Sequence, residues 1–140
     1  MAQGKAKPAG NIDLALLAVR LVFVAFMFNG IGKFMALGAT AGFFGSLGIP
    51  APGVMAIIVA AVETFGSLAM LLGIGTAYAA TLLSIVMLVA ILTTGLGTFA
   101  SSGILQGVIA IEIELANLLA AIGIALAGPG KYSLEEYLKK

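Results

Sequence analysis

The chain contains no cysteine and no histidine. Without these side chains it cannot form disulfides, carry out thiol redox chemistry, or supply the ligands of iron–sulfur clusters, the usual zinc sites or histidine-ligated haem. Charge is scarce as well, because Asp, Glu, Lys and Arg make up 9% of the 140 residues and the net charge is +1. Ordinary soluble domains carry roughly 25% charged residues. The chain therefore has neither the basic patch of a nucleic-acid-binding protein nor an acidic tail.

Apolar residues dominate what is present. They make up 61% of the chain, and the mean hydropathy is +1.18, so the composition predicts an all-α integral membrane protein with a single domain over residues 1–140. Lys5 and Lys7 precede a long apolar run, as in a signal peptide, but the run continues to about residue 35 and contains Arg20. It is too long for a signal peptide, and we interpret it as a retained transmembrane helix.

The hydropathy pattern predicts four transmembrane helices in an antiparallel bundle. Their ranges are about 13–35, 54–72, 76–96 and 108–127. The glycines and prolines over residues 36–53 predict an interfacial loop with one or two helical turns. The connection at 73–75 is short enough to make its two neighbours antiparallel, and a third loop is expected over 97–107.

Both ends of the chain are expected to be polar. Residues 1–12 form a tail that contains Pro8, and in the ending KYSLEEYLKK Ser133 precedes Glu136 at the spacing of a capping box. That spacing predicts a short amphipathic C-terminal helix on the lipid surface. Four crossings place both tails on one side of the membrane. This side is expected to be cytoplasmic, and the membrane the inner one if the chain is prokaryotic, because lysines concentrate in the tails: Lys5, Lys7, Lys131, Lys139 and Lys140.

Charged and polar side chains inside the apolar segments are the candidates for function. The primary candidates for an intramembrane polar site are Arg20, Asn29, Glu63 and Glu114, and no catalytic residue is singled out among them. Glu63 lies near the middle of its segment, where a carboxylate needs a partner, a proton or a polar cavity. Two interpretations of Arg20 stay open, because it could pair with Glu63 or extend to the cytoplasmic headgroups.

Three secondary candidates lie near the primary ones: Lys33, Glu112 and Asn117. We favour solvation at the interface for Lys33 and Glu112, since long side chains near the ends of spans reach water easily. Two residues apart on a helix face roughly opposite sides, so we expect Glu114 to point inward, with Asn117 one turn further along.

The first helix also poses a question of phase. Arg20 and Asn29 are nine residues apart, which puts them about half a turn out of phase on an ideal helix. Either the protein has two polar sites, or Gly30 and Gly32 permit a local irregularity.

Six segments carry a resemblance to a known family. They are LAVRL (17–21), FNGIGKF (28–34), FFGSLGIPAPG (43–53), VETFGSLAMLLG (62–73), ELANLLAA (114–121) and GPGKYSLEEYL (128–138). In this order they resemble the DoxX family of small four-helix membrane proteins. The first helix of that family usually carries His-Gly-x-x-Lys, whose histidine falls on Asn29 and whose lysine falls on Lys33. Asn cannot titrate near neutral pH. The arginine and the two glutamates of the family pattern fall on Arg20, Glu63 and Glu114.

The resemblance implies a small membrane subunit associated with a redox system, since DoxX-like proteins occur with membrane-bound oxidoreductases, including a thiosulfate:quinone oxidoreductase. In this hypothesis the primary candidates line a cavity for a quinone headgroup or another small polar substrate. The carboxylates handle protons, and Arg20 sets their pKa values by its charge.

Two other hypotheses stay open. One is a structural accessory subunit of a larger membrane complex, whose intramembrane charges fix helix register and which has no chemistry of its own. The other is a small-solute transporter, which would need oligomerisation. No metal or covalent cofactor is expected, and whether the chain is an enzyme stays open. The expected partners are the lipid bilayer and other membrane subunits or further copies of the chain, not nucleic acid.

Overall fold

The computed structural model describes residues 10–140, which are helical wherever they form regular structure and contain no strand. The α-helices are, in chain order, α1 (Ile12–Leu21), α2 (Phe23–Met35), α3 (Leu37–Ser46), α4 (Pro52–Ala61), α5 (Ser67–Leu72), α6 (Thr76–Ala90), α7 (Leu96–Ala127) and α8 (Leu134–Leu138). Two π-helical turns, Val62–Gly66 and Ile91–Gly95, join α4 to α5 and α6 to α7. The predicted all-α class is confirmed for this part of the chain. Most of the expected N-terminal tail, with Pro8 and its two lysines, lies outside the described residues.

Three continuous helical segments are long and apolar enough to cross a membrane, among the residues that the structure describes. They are Ile12–Met35, Pro52–Leu72 and Thr76–Ala127, of 24, 21 and 52 residues. A crossing needs about 20 residues, so the third segment is more than twice the necessary length.

The long third segment is interrupted at Gly103, whose φ of 84° and ψ of 179° are not helical. Two contacts place residues from opposite sides of this glycine against each other. A Cβ at Gly95 would meet Ile111, and one at Gly107 would meet the ring of Phe99. The members of each pair lie equally far from Gly103 along the chain. The part of α7 that follows Gly103 thus packs back against α6 and the π-helical turn after it.

The structure differs from the predicted loops in two places. The segment over 36–53 contains the helix α3, and residues 97–107 are helical on both sides of Gly103 rather than a loop. Both segments lack charged residues. An apolar surrounding leaves no water to satisfy free backbone groups, which favours helix until a single glycine permits the turn.

Apolar side chains form both a core and an outer surface. The core includes Phe23, Met70, Leu83 and Ile124, each at most 1% exposed, so every long helical stretch contributes to it. Large apolar side chains also point outward on all of these stretches, and Leu126 is 85% exposed. Soluble monomers rarely expose apolar surface so widely. This surface is suited to lipid.

The C-terminal segment docks onto one end of the helices. Ser133 Oγ accepts a hydrogen bond from the backbone N–H of Glu136 (3.4 Å), as the capping-box spacing predicts. Glu135 ties α8 to the turn between α5 and α6, because its N–H donates to the Gly73 carbonyl (2.9 Å) and its Oε1 accepts from the N–H of Thr76 (2.7 Å). The predicted short helix is therefore present, but it is bound to the protein end and does not lie on lipid alone.

Candidate functional site

Arg20 is the first of two separate polar sites. Its side chain is buried and donates hydrogen bonds to four carbonyl oxygens: from Nε to Met70 (2.7 Å), from Nη2 to Leu71 (2.6 Å), and from Nη1 to Pro129 (3.1 Å) and Tyr132 (2.7 Å). The last carbonyls of a helix lack partners within it, and a guanidinium offers five donors in one plane. Arg20 therefore joins the end of α5 to the chain that follows α7.

Both expectations for Arg20 are wrong. It does not pair with Glu63, and it does not extend to the headgroups, because carbonyls at the end of α5 and in the chain after α7 satisfy it inside the protein. The Met70 and Leu71 carbonyls, at the end of α5, also carry the negative end of a helix dipole, which favours a cation. The spacing of Arg20 and Asn29 left two alternatives, two polar sites or a local irregularity of the helix. The structure has two polar sites.

The second site is built around an ion pair between Lys33 and Glu63. Lys33 Nζ lies 2.6 Å from Glu63 Oε2. The side chain of Glu63 is 4% exposed and that of Lys33 22% exposed, so the pair is largely shielded and the expected interfacial solvation of Lys33 is wrong. A carboxylate at this depth must be compensated, and the lysine is long enough to reach it from α2.

Gly30 allows the two partners to approach. A Cβ on Gly30 would lie 2.5 Å from Thr64 Oγ1 and 2.6 Å from Thr64 N. The backbone of α2 thus touches the π-helical turn that carries Glu63, a close approach that small residues permit between membrane helices. Lys33 follows Gly30 by one turn and is thereby placed beside the carboxylate.

Several of the candidate residues line one cavity of about 360 Å³. Asn29, Lys33, Glu63 and Glu114 all contribute to its wall, whereas Arg20 does not. The rest of the wall is mostly apolar and comes from α2, α3, the loop after it, α4 and α6. The cavity falls within the range of small-molecule sites, about 300–1,000 Å³ with mostly apolar walls and few polar groups.

Both π-helical turns border this cavity. Val62–Gly66 contributes Glu63, and Ile91–Gly95 contributes Thr93 and Thr94. Such turns are rare and occur frequently at functional sites. Neither turn is predicted from the sequence, since both segments lie within apolar stretches typical of a transmembrane helix and end in glycine. Thr93 and Thr94 are polar residues of the cavity that are not among the candidates from the sequence.

Glu114 and Asn29 contribute polar atoms that are free to bind a ligand. In residues 10–140 neither side chain has a hydrogen-bond or ion-pair partner. Glu114 is half-buried, as its expected inward orientation requires, and Glu112 is exposed on the other face of α7. The cavity therefore holds one compensated ion pair and one uncompensated carboxylate.

Asn117 is buried but does not line the cavity. Its Nδ2 donates to the Ile113 carbonyl within α7 (2.9 Å), and its Oδ1 has no partner. Two further buried oxygens lack partners, Thr64 Oγ1 and Ser67 Oγ. Asn117 and Ser67 face the interior between the helices, where they contribute polarity without reaching the cavity.

The donor and acceptor set of the cavity limits its chemistry. Lys33 and Asn29 can donate hydrogen bonds, while Glu63 and Glu114 can accept them or exchange protons. Among the described residues no group of three or more His, Cys, Asp or Glu side chains could hold a metal ion. The set suits a small polar group attached to an apolar body.

The fold and the site define a small helical protein of the membrane, with an ion pair and a free carboxylate among apolar segments. The chain belongs to the DoxX family, whose model matches residues 15–96, and it is an integral membrane protein. It is also similar to a Bacillus subtilis (strain 168) protein named "Putative oxidoreductase CatD", with 27% identity over 132 residues that cover 93% of this chain and 91% of that protein. No solved structure matches the chain.

Proposed function

We propose that this chain is a membrane subunit of a redox system and binds the headgroup of a quinone, or a similar lipid-soluble ring, in the cavity beside the Lys33–Glu63 pair. The proposal rests on one observation: this pair, Asn29 and Glu114 line the same cavity, whose walls are otherwise mostly apolar. The name of the Bacillus relative, an oxidoreductase, and the DoxX membership support a redox context.

The walls of the cavity suit an amphiphilic ligand. Ile58, Leu82 and Ile85 line it and are also exposed on the outside of the helices. In a bilayer these side chains face lipid, so an apolar tail can leave sideways between α4 and α6 while the polar head meets the charged residues. A ligand dissolved in the membrane could enter by the same route.

The residues of the cavity fit the chemistry of a quinone headgroup. A bound quinone accepts two electrons and two protons when it is reduced. Lys33 and Asn29 can donate hydrogen bonds to its carbonyl oxygens, and Glu63 and Glu114 can exchange the protons. Electrons would come from a partner protein or a reducing substrate. Asn29, which stands where the family pattern has histidine, orients the ring without carrying a proton.

We further propose four crossings, with the two halves of Thr76–Ala127 as separate antiparallel spans joined at Gly103. Contacts between the two chain ends support an even number of crossings. Asp13 Oδ1 accepts a hydrogen bond from the Lys131 N–H (2.9 Å), and Arg20 contacts the Pro129 carbonyl. The lysines of the tails favour the cytoplasm for that side.

Photo-crosslinking tests whether a quinone binds in the cavity. We would incorporate the purified protein into lipid nanodiscs, irradiate it with a photoreactive benzoquinone that carries an isoprenoid tail, and map the crosslinks by peptide mass spectrometry. Crosslinks are expected on cavity residues. Glu114→Gln and Asn29→Leu should each weaken binding about tenfold, the value of one hydrogen bond to a charged or polar group.

Glu112→Gln is the matched control, since it changes the same chemical group on the opposite face of the same helix. It should leave crosslinking unchanged. The proposal is refuted if crosslinks scatter over the lipid-facing surface. It is also refuted if cavity crosslinks are unchanged in Glu114→Gln and Asn29→Leu.

A structural accessory role is the second candidate, and the exposure of Glu112 favours it. This carboxylate faces outward on α7 among exposed apolar residues such as Ile109 and Ile113. A charge on a lipid-facing surface favours a neighbouring subunit. Native mass spectrometry of the protein extracted in mild detergent would reveal larger subunits bound to it, and Glu112→Gln should then release them while Glu114→Gln does not.

A further inference from the structure

The cavity is closed on the side of the chain ends by a layer of packed apolar side chains. Phe23, Met70, Ala80 and Ile124 are each at most 1% exposed. Each belongs to a different helical stretch, and each lies between the cavity residues of its stretch and the end of that stretch beside the C-terminal segment. Interiors packed in this way contain few voids large enough for water.

The contacts around Arg20 form a second closure at the same end of the cavity. Arg20 bonds to carbonyls at the end of α5 and in the segment after α7, and Glu135 caps the start of α6. A path from the cavity to this side would have to cross the apolar layer and then separate these contacts.

The opposite side of the cavity is closed much less firmly. Its cover is α3 and the loop after it, which contribute Phe43, Phe44, Leu47 and Ile49 to the wall. Phe44 is the one buried residue of α3, and Phe43 is 53% exposed. A Cβ placed on Gly38 or Gly42 of α3 would meet nothing within 4 Å, and one on Gly45 would meet only the side chain of Pro52. The glycine positions of α3 are therefore loosely packed.

Polar residues of the cavity also lie toward this cover. Lys33 is in the last turn of α2, immediately before α3, and Thr94 lies near the end of the π-helical turn that leads to Gly103. Glu114 and Thr94 are both half-buried. A polar route therefore begins at the ion pair and continues toward α3. On the other side of the pair, the polar side chains of Ser67 and Asn117 are buried, at 0% and 5% exposure.

We propose that the cavity exchanges protons and small polar molecules with one side of the membrane only, the side of α3 and Gly103, opposite the C-terminal segment. Glu114 is the carboxylate that faces this entrance, and the Lys33–Glu63 pair lies behind it. The inference rests on the proposed function for the four crossings and for the use of protons. A reaction at this site would take up or release its protons on that side alone.

Single cysteines provide the test, because the natural chain contains none. Thr94→Cys and Asn29→Cys probe the cavity, and Ser67→Cys, at a residue 0% exposed, probes the closed layer. Ser102→Cys beside Gly103 and Lys139→Cys in the tail mark the two sides. Each variant is treated with a positively charged, membrane-impermeant methanethiosulfonate, once in intact cells and once in inverted membrane vesicles.

We expect the two cavity cysteines to react in the same preparation as Ser102→Cys, and Ser67→Cys to react in neither. Adding Phe44→Ala to Thr94→Cys should speed the reaction, since it removes the buried contact of α3. The inference is overturned if the cavity cysteines react together with Lys139→Cys, if Ser67→Cys reacts from the tail side, or if both cavity cysteines stay unreactive in both preparations.

The outcomes separate this inference from the proposed ligand. Accessibility is measured without added quinone and does not depend on quinone crosslinking, so failed crosslinking leaves the pattern of labelling intact. If Ser102→Cys and Lys139→Cys react from the same side, the four-crossing arrangement fails, and the inference fails with it, while quinone crosslinking can still succeed.

Discussion

Gly30 shows how one residue sets the distance between two helices. Its Cα touches the turn that carries Glu63, with no room for a methyl group. Gly30→Ala should push α2 away, separate Lys33 from Glu63, and lower the free energy of unfolding by about 1–3 kcal/mol, as overpacking does elsewhere. Thermal unfolding in detergent measures the change, and crosslinking to the quinone should fall with it.

Gly32 is the matched control for Gly30. It lies in the same helix, and a Cβ there would meet nothing within 4 Å. Gly32→Ala should therefore leave the melting temperature unchanged or raise it, because alanine favours helix over glycine by about 1 kcal/mol. Equal destabilisation by both substitutions would contradict the close approach at Gly30.

The Lys33–Glu63 pair allows stability to be separated from function. Lys33→Met leaves a buried carboxylate without its cation, and loss of one partner of a buried pair costs about 3–5 kcal/mol. The double variant Lys33→Met/Glu63→Met removes both charges and should recover most of that loss. A double-mutant cycle of unfolding free energies measures both effects.

Ligand binding should respond differently to the same variants. If the pair binds a headgroup, the double variant stays unable to bind although it is stable again. A double variant that binds the quinone as the natural protein does would leave the pair with a structural role only.

At the scale of the elements, the conformation of Gly103 decides whether α7 reverses. Its φ of 84° with ψ of 179° belongs to a region that is essentially restricted to glycine. Gly103→Ala should cost about 1–3 kcal/mol and lower the melting temperature. Gly97→Ala, in the helical part of α7 with open space around it, is the control and should cause no loss. Tolerance of alanine at Gly103 would mean that the reversal does not depend on this conformation.

The elements also show how far the sequence could predict the fold. The predicted ranges of about 13–35 and 54–72 lie close to the helical segments Ile12–Met35 and Pro52–Leu72, because apolar length is a local property of the chain. The range 76–96 begins where the third segment begins, but that segment continues to Ala127. The loops predicted over 36–53 and 97–107 agree less well, because both segments contain helix. Glycine and serine usually mark loops in water, whereas apolar surroundings keep the backbone helical up to one turning residue.

At the scale of the whole molecule, the C-terminal segment holds the helical segments together at one end. It supplies two of the four acceptors of Arg20 and the cap of α6. Deletion of residues 129–140 leaves buried donors of Arg20 without partners, at about 1–3 kcal/mol or more each. We expect a large decrease in melting temperature and a low yield of folded protein.

A shorter deletion is the control. Residues 139–140 are exposed, and the ion pair between Lys139 and Glu136 is a surface contact of the kind that contributes little. Their removal should leave the melting temperature unchanged. If the long deletion is equally harmless, the segment does not stabilise the bundle end.

The sequence by itself determined that this protein is helical, that it lies in a membrane, and that Glu63 and Glu114 are polar groups at unusual depth. These conclusions need only the number and order of apolar residues. The tertiary structure decided which groups pair: Arg20 binds carbonyls at the end of α5 and in the segment after α7, and Lys33 binds Glu63. Partner choice depends on the relative rotation and spacing of helices, which the contact at Gly30 and the two π-helical turns set, and a small shift in either would aim the same side chains elsewhere.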